Sequence, residues 1–204
     1  MAAPSEQSRF VSRGGDKLAH ALTAFAVDVR AARCADLGCS TGGFTDCLLT
    51  AGAAHVIAVD TAYGVLAYSL RADPRVTVIE RSNALHLEPT ERVDLVTLDL
   101  SWTPQRLAIP AALPWLKKGG RIITLIKPHY EASDQKRDDL LDSGVLPEAD
   151  AERIAEEVFT AMPSFGAAPL ALTRSPVAGG ARKRGRGRGN IEFLALVEPR
   201  TVPE

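Results

Sequence analysis

The stretch ADLGCSTGGFTD, residues Ala35 to Asp46, decides how the rest of the chain is read. A short apolar run (34–38) ends in Gly38, and after Gly42 and Gly43 the segment FTDCLLTAG (44–52) has the pattern of a helix closed by Gly52. Strand, tight turn and helix together make a place where backbone amides approach a ligand. Gly38 permits the turn, while Gly42 and Gly43 remove side chains where ligand and helix come close. The dinucleotide pattern G-x-G-x-x-G is broken, because Ser40 stands at its middle glycine. Asp36, two residues before Gly38, carries a carboxylate suited to an amino group, which a pyrophosphate-bearing cofactor does not offer.

The next apolar run, HVIAVD (55–60), ends in Asp60, 22 residues after Gly38, where an acid accepts hydrogen bonds from ribose hydroxyls. Glycine turn, strand-end acid and Asp36 together point to S-adenosylmethionine rather than a dinucleotide. Further β-branched runs follow at RVTVIE (75–80), VDLVTLDL (93–100) and GRIITLIKP (120–128). Helical patterns fall between them near GVLAYSLRA (64–72) and over RLAIPAALPWLKK (106–118). The runs are continuously apolar instead of alternating, so both faces of the sheet are expected to be covered. EADAERIAEEVFTAM (148–162) predicts a helix with an acidic first half, and APLALTRS and NIEFLALVE predict two last strands. The expectation is an α/β, doubly wound, mostly parallel seven-stranded sheet with ligands at the carboxyl ends of its strands. Residues 1–30 read as an arm and helix packing on a Rossmann-like core over 31–204, a single domain overall.

With 204 residues, 46% hydrophobic and 24% charged, the composition is that of a globular protein. LAIPAALPWL (107–116) is too short to span a bilayer, and the first ten residues lack the apolar core of a signal peptide, so a cytoplasmic location and no membrane partner are expected. Cys34, Cys39 and Cys47 show neither C-x-x-C spacing nor a nearby histidine pair, which argues for free buried thiols and no metal. A monomer is the expectation. The net charge of −1 hides a strong asymmetry. Residues 131–157 hold ten acids against three bases, and 131–144 reads as an exposed polar loop, whereas 174–188 holds six bases and no acid.

Four charged residues stand apart. SRFVSRGGDKLAHAL (8–22) predicts a helix with Asp16 as its N-cap, and Lys17 then lies against the positive end of the helix dipole. Asp99 ends the fourth strand, Lys127 ends the fifth, and Glu192 is the lone charge of an apolar strand. A structural Lys127–Asp99 ion pair and a solvent-facing edge carboxylate at 192 are the plain alternatives.

In order along the chain, VSRGGDKL, DLGCSTGGFTD, VIAVDTAYG, RSNA, DLSW, LIKPHYE and GNIEFL resemble the motifs of the TlyA-type branch of the FtsJ-like RNA 2′-O-ribose methyltransferases. The resemblance runs from about Val11 to Val197. It implies a Rossmann-like methyltransferase fold with a C-terminal antiparallel strand, S-adenosylmethionine as cofactor and RNA, chiefly ribosomal RNA or a ribosomal subunit, as partner. It implies a Lys-Asp-Lys-Glu tetrad at Lys17, Asp99, Lys127 and Glu192. The cofactor site falls on Asp36, Gly38, Ser40, Thr41, Gly42, Gly43 and Phe44, with Asp60 for the ribose, Asn83 near the adenine, and Asp99.

Removing a proton from a ribose hydroxyl suits Lys127 as a base if a neighbouring cation, Lys17, and desolvation lower its pKa. Asp99 and Glu192 oppose that by favouring the ammonium, so stabilisation of a developing alkoxide by charged Lys127 stays open. Members of this branch carry an N-terminal S4-type RNA-binding domain, for which the chain has no room. The cations of GGARKRGRGRGN, namely Arg182, Lys183, Arg184, Arg186 and Arg188, are expected to supply phosphate contacts instead. Trp102 is a candidate to stack on a base, His129 and Tyr130 to line the substrate pocket, and Arg13 to touch a phosphate. The rival readings are an assembly factor with this fold and little turnover, and a small-molecule methyltransferase. Relatives have also been labelled haemolysins, but nothing in the chain reads as a membrane-lytic helix.

Overall fold

The computed structural model describes residues 9–132, 145–179 and 189–200. Its elements, in chain order, are α1 (Gly14–Ala24), β1 (Arg33–Leu37), α2 (Gly43–Thr50), β2 (His55–Val59), α3 (Tyr68–Arg71) and β3 (Val76–Ile79). There follow β4 (Val93–Leu98), α4 (Gln105–Ala112) with a 3₁₀ turn at Leu113–Trp115, β5 (Leu116–Ile126) and α5 (Pro128–Glu131). The chain closes with α6 (Glu148–Ala161), a 3₁₀ turn at Met162–Phe165, β6 (Ala167–Arg174) and β7 (Phe193–Pro199). Seven strands form one sheet in the order β3-β2-β1-β4-β5-β7-β6. β7 alone runs antiparallel to its neighbours, pairing with both β5 and β6. The expected α/β architecture is the one observed.

Continuous apolar strands follow from two cores, one on each face of the sheet. Leu37, Ile57, Val59, Leu98, Ile122, Ile126 and Ala195 face the core that α4 and α6 cover. The intervening residues Cys34, Val56, Ala58, Leu95, Ile123, Leu125 and Leu194 face the core that α1 and α2 cover. The period of two is therefore present but invisible in hydropathy, since both sides are dry.

Several boundaries differ from expectation. α1 starts at Gly14, with Arg13 at its N-cap position making no side-chain cap, so Asp16 sits inside the first turn. The helix expected over 64–72 contracts to Tyr68–Arg71, because Gly64 adopts φ +71° and the chain reaches helical geometry only after Ala67. The helix expected over 106–118 stops at Ala112, where Leu113–Trp115 tightens into a 3₁₀ turn and Lys117 and Lys118 join β5. Glu192 lies one residue before β7 and not inside it. Glu131, read as the start of a polar loop, ends α5; residues 133–144 of that loop lie outside the described residues.

Trp115 has no exposed surface and anchors the α4–α6 core. Trp115→Ala should cost about 3–5 kcal/mol, read as a lowered urea midpoint at unchanged m-value.

Candidate active site

In the order β2-β1-β4-β5 the chain leaves β1 and β4 in opposite directions, which opens a crevice at the carboxyl ends of these two neighbours. The glycine turn fills one wall of it. Gly38 has φ +91°, and a Cβ there would come within 2.6 Å of the Asp99 carbonyl oxygen, so the turn after β1 and the turn after β4 touch through bare backbone. Gly43 likewise leaves room for Ser12, whose Oγ a Cβ would meet at 2.2 Å. The cleft encloses about 400 Å³ and is lined by Gly38, Ser40, Thr41, Gly43 and Phe44 of the turn, by Arg13, and by Lys17, Asp99, Lys127 and Glu192. That volume is in the range of small-molecule sites.

The four charged residues meet as two ion pairs. Lys17 Nζ lies 2.5 Å from Glu192 Oε2, joining residues 175 apart in sequence, and Lys127 Nζ lies 2.6 Å from Asp99 Oδ1. Lys17, Lys127 and Glu192 are buried. Lys127 also donates to the Leu100 carbonyl at 3.4 Å. Burial pushes the Glu192 carboxyl up, and the Lys17 charge opposes it. Glu192 owes its enclosure to backbone: a Cβ on Gly179 would come within 1.8 Å of Glu192 Oε1, so only glycine can cross there. Gly179 donates to the Asn190 carbonyl at 2.8 Å, which ties the two ends of the basic segment together over the carboxylate. The alternative of a solvent-facing edge carboxylate at 192 is therefore not what the structure holds, whereas the ion-pair alternative for Lys127 and Asp99 is realised inside the cleft.

The acids expected around the cofactor behave differently. Asp36 has no exposed surface and does not line the cleft. Its Oδ2 accepts from Thr45 Oγ1 at 2.7 Å and its Oδ1 from Thr97 Oγ1 at 3.0 Å, so it supports the turn from below, between β1, β4 and α2. The structure thus keeps the Asp36 side chain out of the cleft, on the α1–α2 side of the sheet. Burial raises the Asp36 carboxyl to about 6. Asp60 stands at the end of β2 as expected and accepts from the backbone amides of Ser40, at 2.7 Å, and Ala62, at 2.8 Å, so it pins the glycine turn. Asn83 is exposed, receives the Leu85 amide on its Oδ1 and does not line the cleft, and Gly42 turns away from the cleft with φ +98°, against Leu66 and Leu70.

His129 and Tyr130 line the cleft beside Lys127. Trp102 is 75% exposed, adopts φ +59° and stacks on Tyr130 with ring centroids 4.6 Å apart. Lys127 Nζ lies 5.8 Å from the Tyr130 ring centroid. Arg182, Lys183, Arg184, Arg186 and Arg188 lie outside the described residues. Sequence reasoning did not single out Ser12, Ser101 and Gly179 as cleft residues. The glycine pair of VAGG before the basic run was the available signal for Gly179. The three cysteines are free and buried, as expected.

The family model of FtsJ-like methyltransferases matches residues 10–153. A 16S/23S rRNA (cytidine-2′-O)-methyltransferase TlyA of Mycobacterium tuberculosis is 51% identical over 125 residues, 60% of this chain and 47% of that protein. Hemolysin A of Brachyspira hyodysenteriae is 34% identical over 192 residues, 92% of this chain and 76% of that protein. The match thus spans about half the length of the tuberculosis relative. Among solved structures, a candidate hemolysin from Streptococcus thermophilus superposes with a TM-score of 0.86 at 35% identity, covering 98% of this chain and 70% of that one.

Asp36 sets a pH dependence of stability. Its folded value of about 6 exceeds the ordinary 3.8, so the folded state binds the proton more tightly than the unfolded chain. The Asp36 contribution to stability is then greatest below pH 3.8 and falls as pH rises to about 6, by roughly 3 kcal/mol in all. Asp36→Asn, which still has one acceptor and one donor for the two threonine hydroxyls, should match the parent protein near pH 4 and exceed it by about 1–3 kcal/mol at pH 8 in urea unfolding.

Proposed function

The chain belongs to the FtsJ-like methyltransferase family, and on that premise we propose that it transfers a methyl group from S-adenosylmethionine to a ribose 2′-hydroxyl of ribosomal RNA. The observation that carries this reading is the convergence of Lys17–Glu192 and Lys127–Asp99 in one cleft against the glycine turn. The tuberculosis relative, named for the cytidine-2′-O reaction on 16S and 23S rRNA, supports the choice of substrate.

The residues fit the cofactor. The turn from Gly38 to Phe44 presents backbone to the cleft, and α2 begins there at Gly43, so its free amide end suits a carboxylate group. Asp99 and Glu192 on the opposite wall suit a cationic group, and Asp36 adds negative charge from beneath the turn. S-adenosylmethionine supplies an electrophilic methyl group on a sulfonium.

The chain's own residues orient and neutralise. Asp99 Oδ1 holds the Lys127 Nζ at 2.6 Å on the cleft wall. Lys127 then directs its charge at the ribose oxygen and stabilises that oxygen as it loses its proton. S-adenosylmethionine held against the glycine turn would supply the methyl group to this oxygen, and the hydroxyl proton would pass to the Asp99 carboxylate, which faces Lys127 at 2.6 Å. Lys17 holds Glu192 in place beside it. Trp102, stacked on Tyr130 at the cleft, offers a face to an unstacked base, and Arg13 offers a cation to a phosphate. The basic run between Gly179 and Gly189 supplies further phosphate contacts, because Gly179 passes over Glu192 and is bonded to Asn190 at the run's other end.

Incubation with labelled S-adenosylmethionine and either ribosomal subunits or naked rRNA, followed by mapping of alkali-resistant linkages, tests the reading. Label at a 2′-oxygen is expected; label elsewhere in RNA, or none, overturns it. Lys127→Ala should lower turnover by about 10²–10⁴-fold while cofactor affinity stays within a few-fold, checked by calorimetry. Replacing Arg182, Lys183, Arg184, Arg186 and Arg188 with serine should flatten the log–log salt dependence of RNA binding by about 0.7 for each phosphate that the variant no longer neutralises.

A further inference from the structure

Glu131 closes the motif LIKPHYE, and the methyl-transfer chemistry makes no use of it. It is a half-buried carboxylate at the end of α5, and its Oε1 accepts the backbone amide of Gln105, the first residue of α4, at 2.9 Å. Gln105 is itself buried and bonded twice to the strand that carries Lys127. Its Nε2 donates to the Leu125 carbonyl at 3.1 Å, and its Oε1 accepts from Thr124 Oγ1 at 2.7 Å.

These bonds complete a ladder between two strand-end segments, 99–105 after β4 and 127–131 after β5. The first rung is Lys127 on Asp99 and the Leu100 carbonyl, the second is Tyr130 on Trp102, and the third is Glu131 on Gln105. Only the third is formed away from the cleft. We propose that Glu131 is a positioning residue for methyl transfer: by holding the N-terminus of α4 it fixes the spacing across which the Lys127–Asp99 pair and the Trp102–Tyr130 stack form. The proposal rests on the reading of the cleft as the transfer site. Glu131 acts through Lys127 and Asp99 and touches neither substrate nor cofactor.

The hydrogen bond, more than the charge, performs this task. Burial raises the Glu131 carboxyl to about 7, opposed by the Gln105 amide and by Arg106, so near neutrality the group is partly protonated and still has an oxygen to accept the amide. Glutamine is then a faithful replacement, and alanine is not. An uncapped amide at Gln105 frees the 99–104 segment to move relative to Lys127.

The test uses the full chain with Glu131→Ala and Glu131→Gln. For Glu131→Ala, kcat on ribosomal RNA should fall tenfold or more, and several-fold further than the affinity for S-adenosylmethionine, because the freed segment carries Asp99 while most of the cofactor wall is the glycine turn between β1 and α2. The near-UV circular dichroism of the Trp102–Tyr130 pair, defined by difference from Trp102→Phe, should disappear with it. Glu131→Gln should restore both kcat and the aromatic signal to near the parent values. A kcat within twofold of the parent in Glu131→Ala, an unchanged aromatic signal, or a fall in kcat matched by an equal fall in cofactor affinity and not rescued by glutamine would each overturn the proposal. Absence of RNA methylation by the parent protein would count against the function alone, since the aromatic signal reads the ladder without turnover.

Discussion

A lysine ammonium or a carboxylate is expensive to remove from water unless an opposite charge meets it at hydrogen-bonding distance. That constraint organises this molecule. Lys17 comes from the first helix and Glu192 from the chain's last segment before β7, and neither could be buried without the other. Their pairing ties α1 to the far end of the chain, and it requires Gly179 to pass over the carboxylate with no side chain. α1 is held in turn by Gly15, where any Cβ would run into the Phe10 ring, and by Gly43, which gives way to Ser12. The glycine turn and the N-terminal segment are thus packed as one wall of the cleft, so the position of Lys17 and the shape of the turn are not independent.

What the sequence revealed, and what it withheld, follows from the same physics. Parallel strands covered on both sides read as unbroken apolar runs, which is why all seven strands and their class were legible within a few residues of their true bounds. The ends of helices were less legible. Asp16 has the chemistry of an N-cap, yet the Gly14–Gly15 pair lets the helix start earlier, and close packing on Phe10 and Phe44 decides the start. The partner of Lys17 was not legible, because a pair 175 residues apart is set by topology, whereas Lys127 and Asp99 could be paired as the ends of two strands. Asp36 shows the limit from the other side. Its place before Gly38 suggested a ligand contact, but β-strand alternation turns its side chain to the face beneath α2, where Thr45 and Thr97 receive it.

Trp102 departs from ordinary backbone behaviour. A bulky aromatic residue with φ +59° is strained by about 1–3 kcal/mol, and an indole that is 75% exposed recovers little of this by burial. The strain is held by its surroundings: the stack on Tyr130, the Lys127–Asp99 pair three residues upstream, and the capped start of α4 three residues downstream. An exposed, strained aromatic that the fold itself does not need for its core is best explained by a ligand that covers it. The same reasoning separates it from Trp115, whose indole is fully enclosed and belongs to the core.

The charge balance of the cleft limits what it can accept. Two lysines and two carboxylates in ion pairs sum to zero, and Arg13 adds a further cation to the lining. A cofactor with a positive reacting centre needs Asp99 and Glu192 close by, because two unpaired ammoniums in a buried cleft would oppose it by several kcal/mol. Phosphate attraction is then best supplied from outside the cleft, and the chain concentrates its cations in the sequence between Gly179, which passes over Glu192, and Asn190, to which Gly179 is bonded. Paired and buried charges are nearly unscreened by salt, so the balance inside the cleft persists at ionic strengths that weaken contacts on the surface.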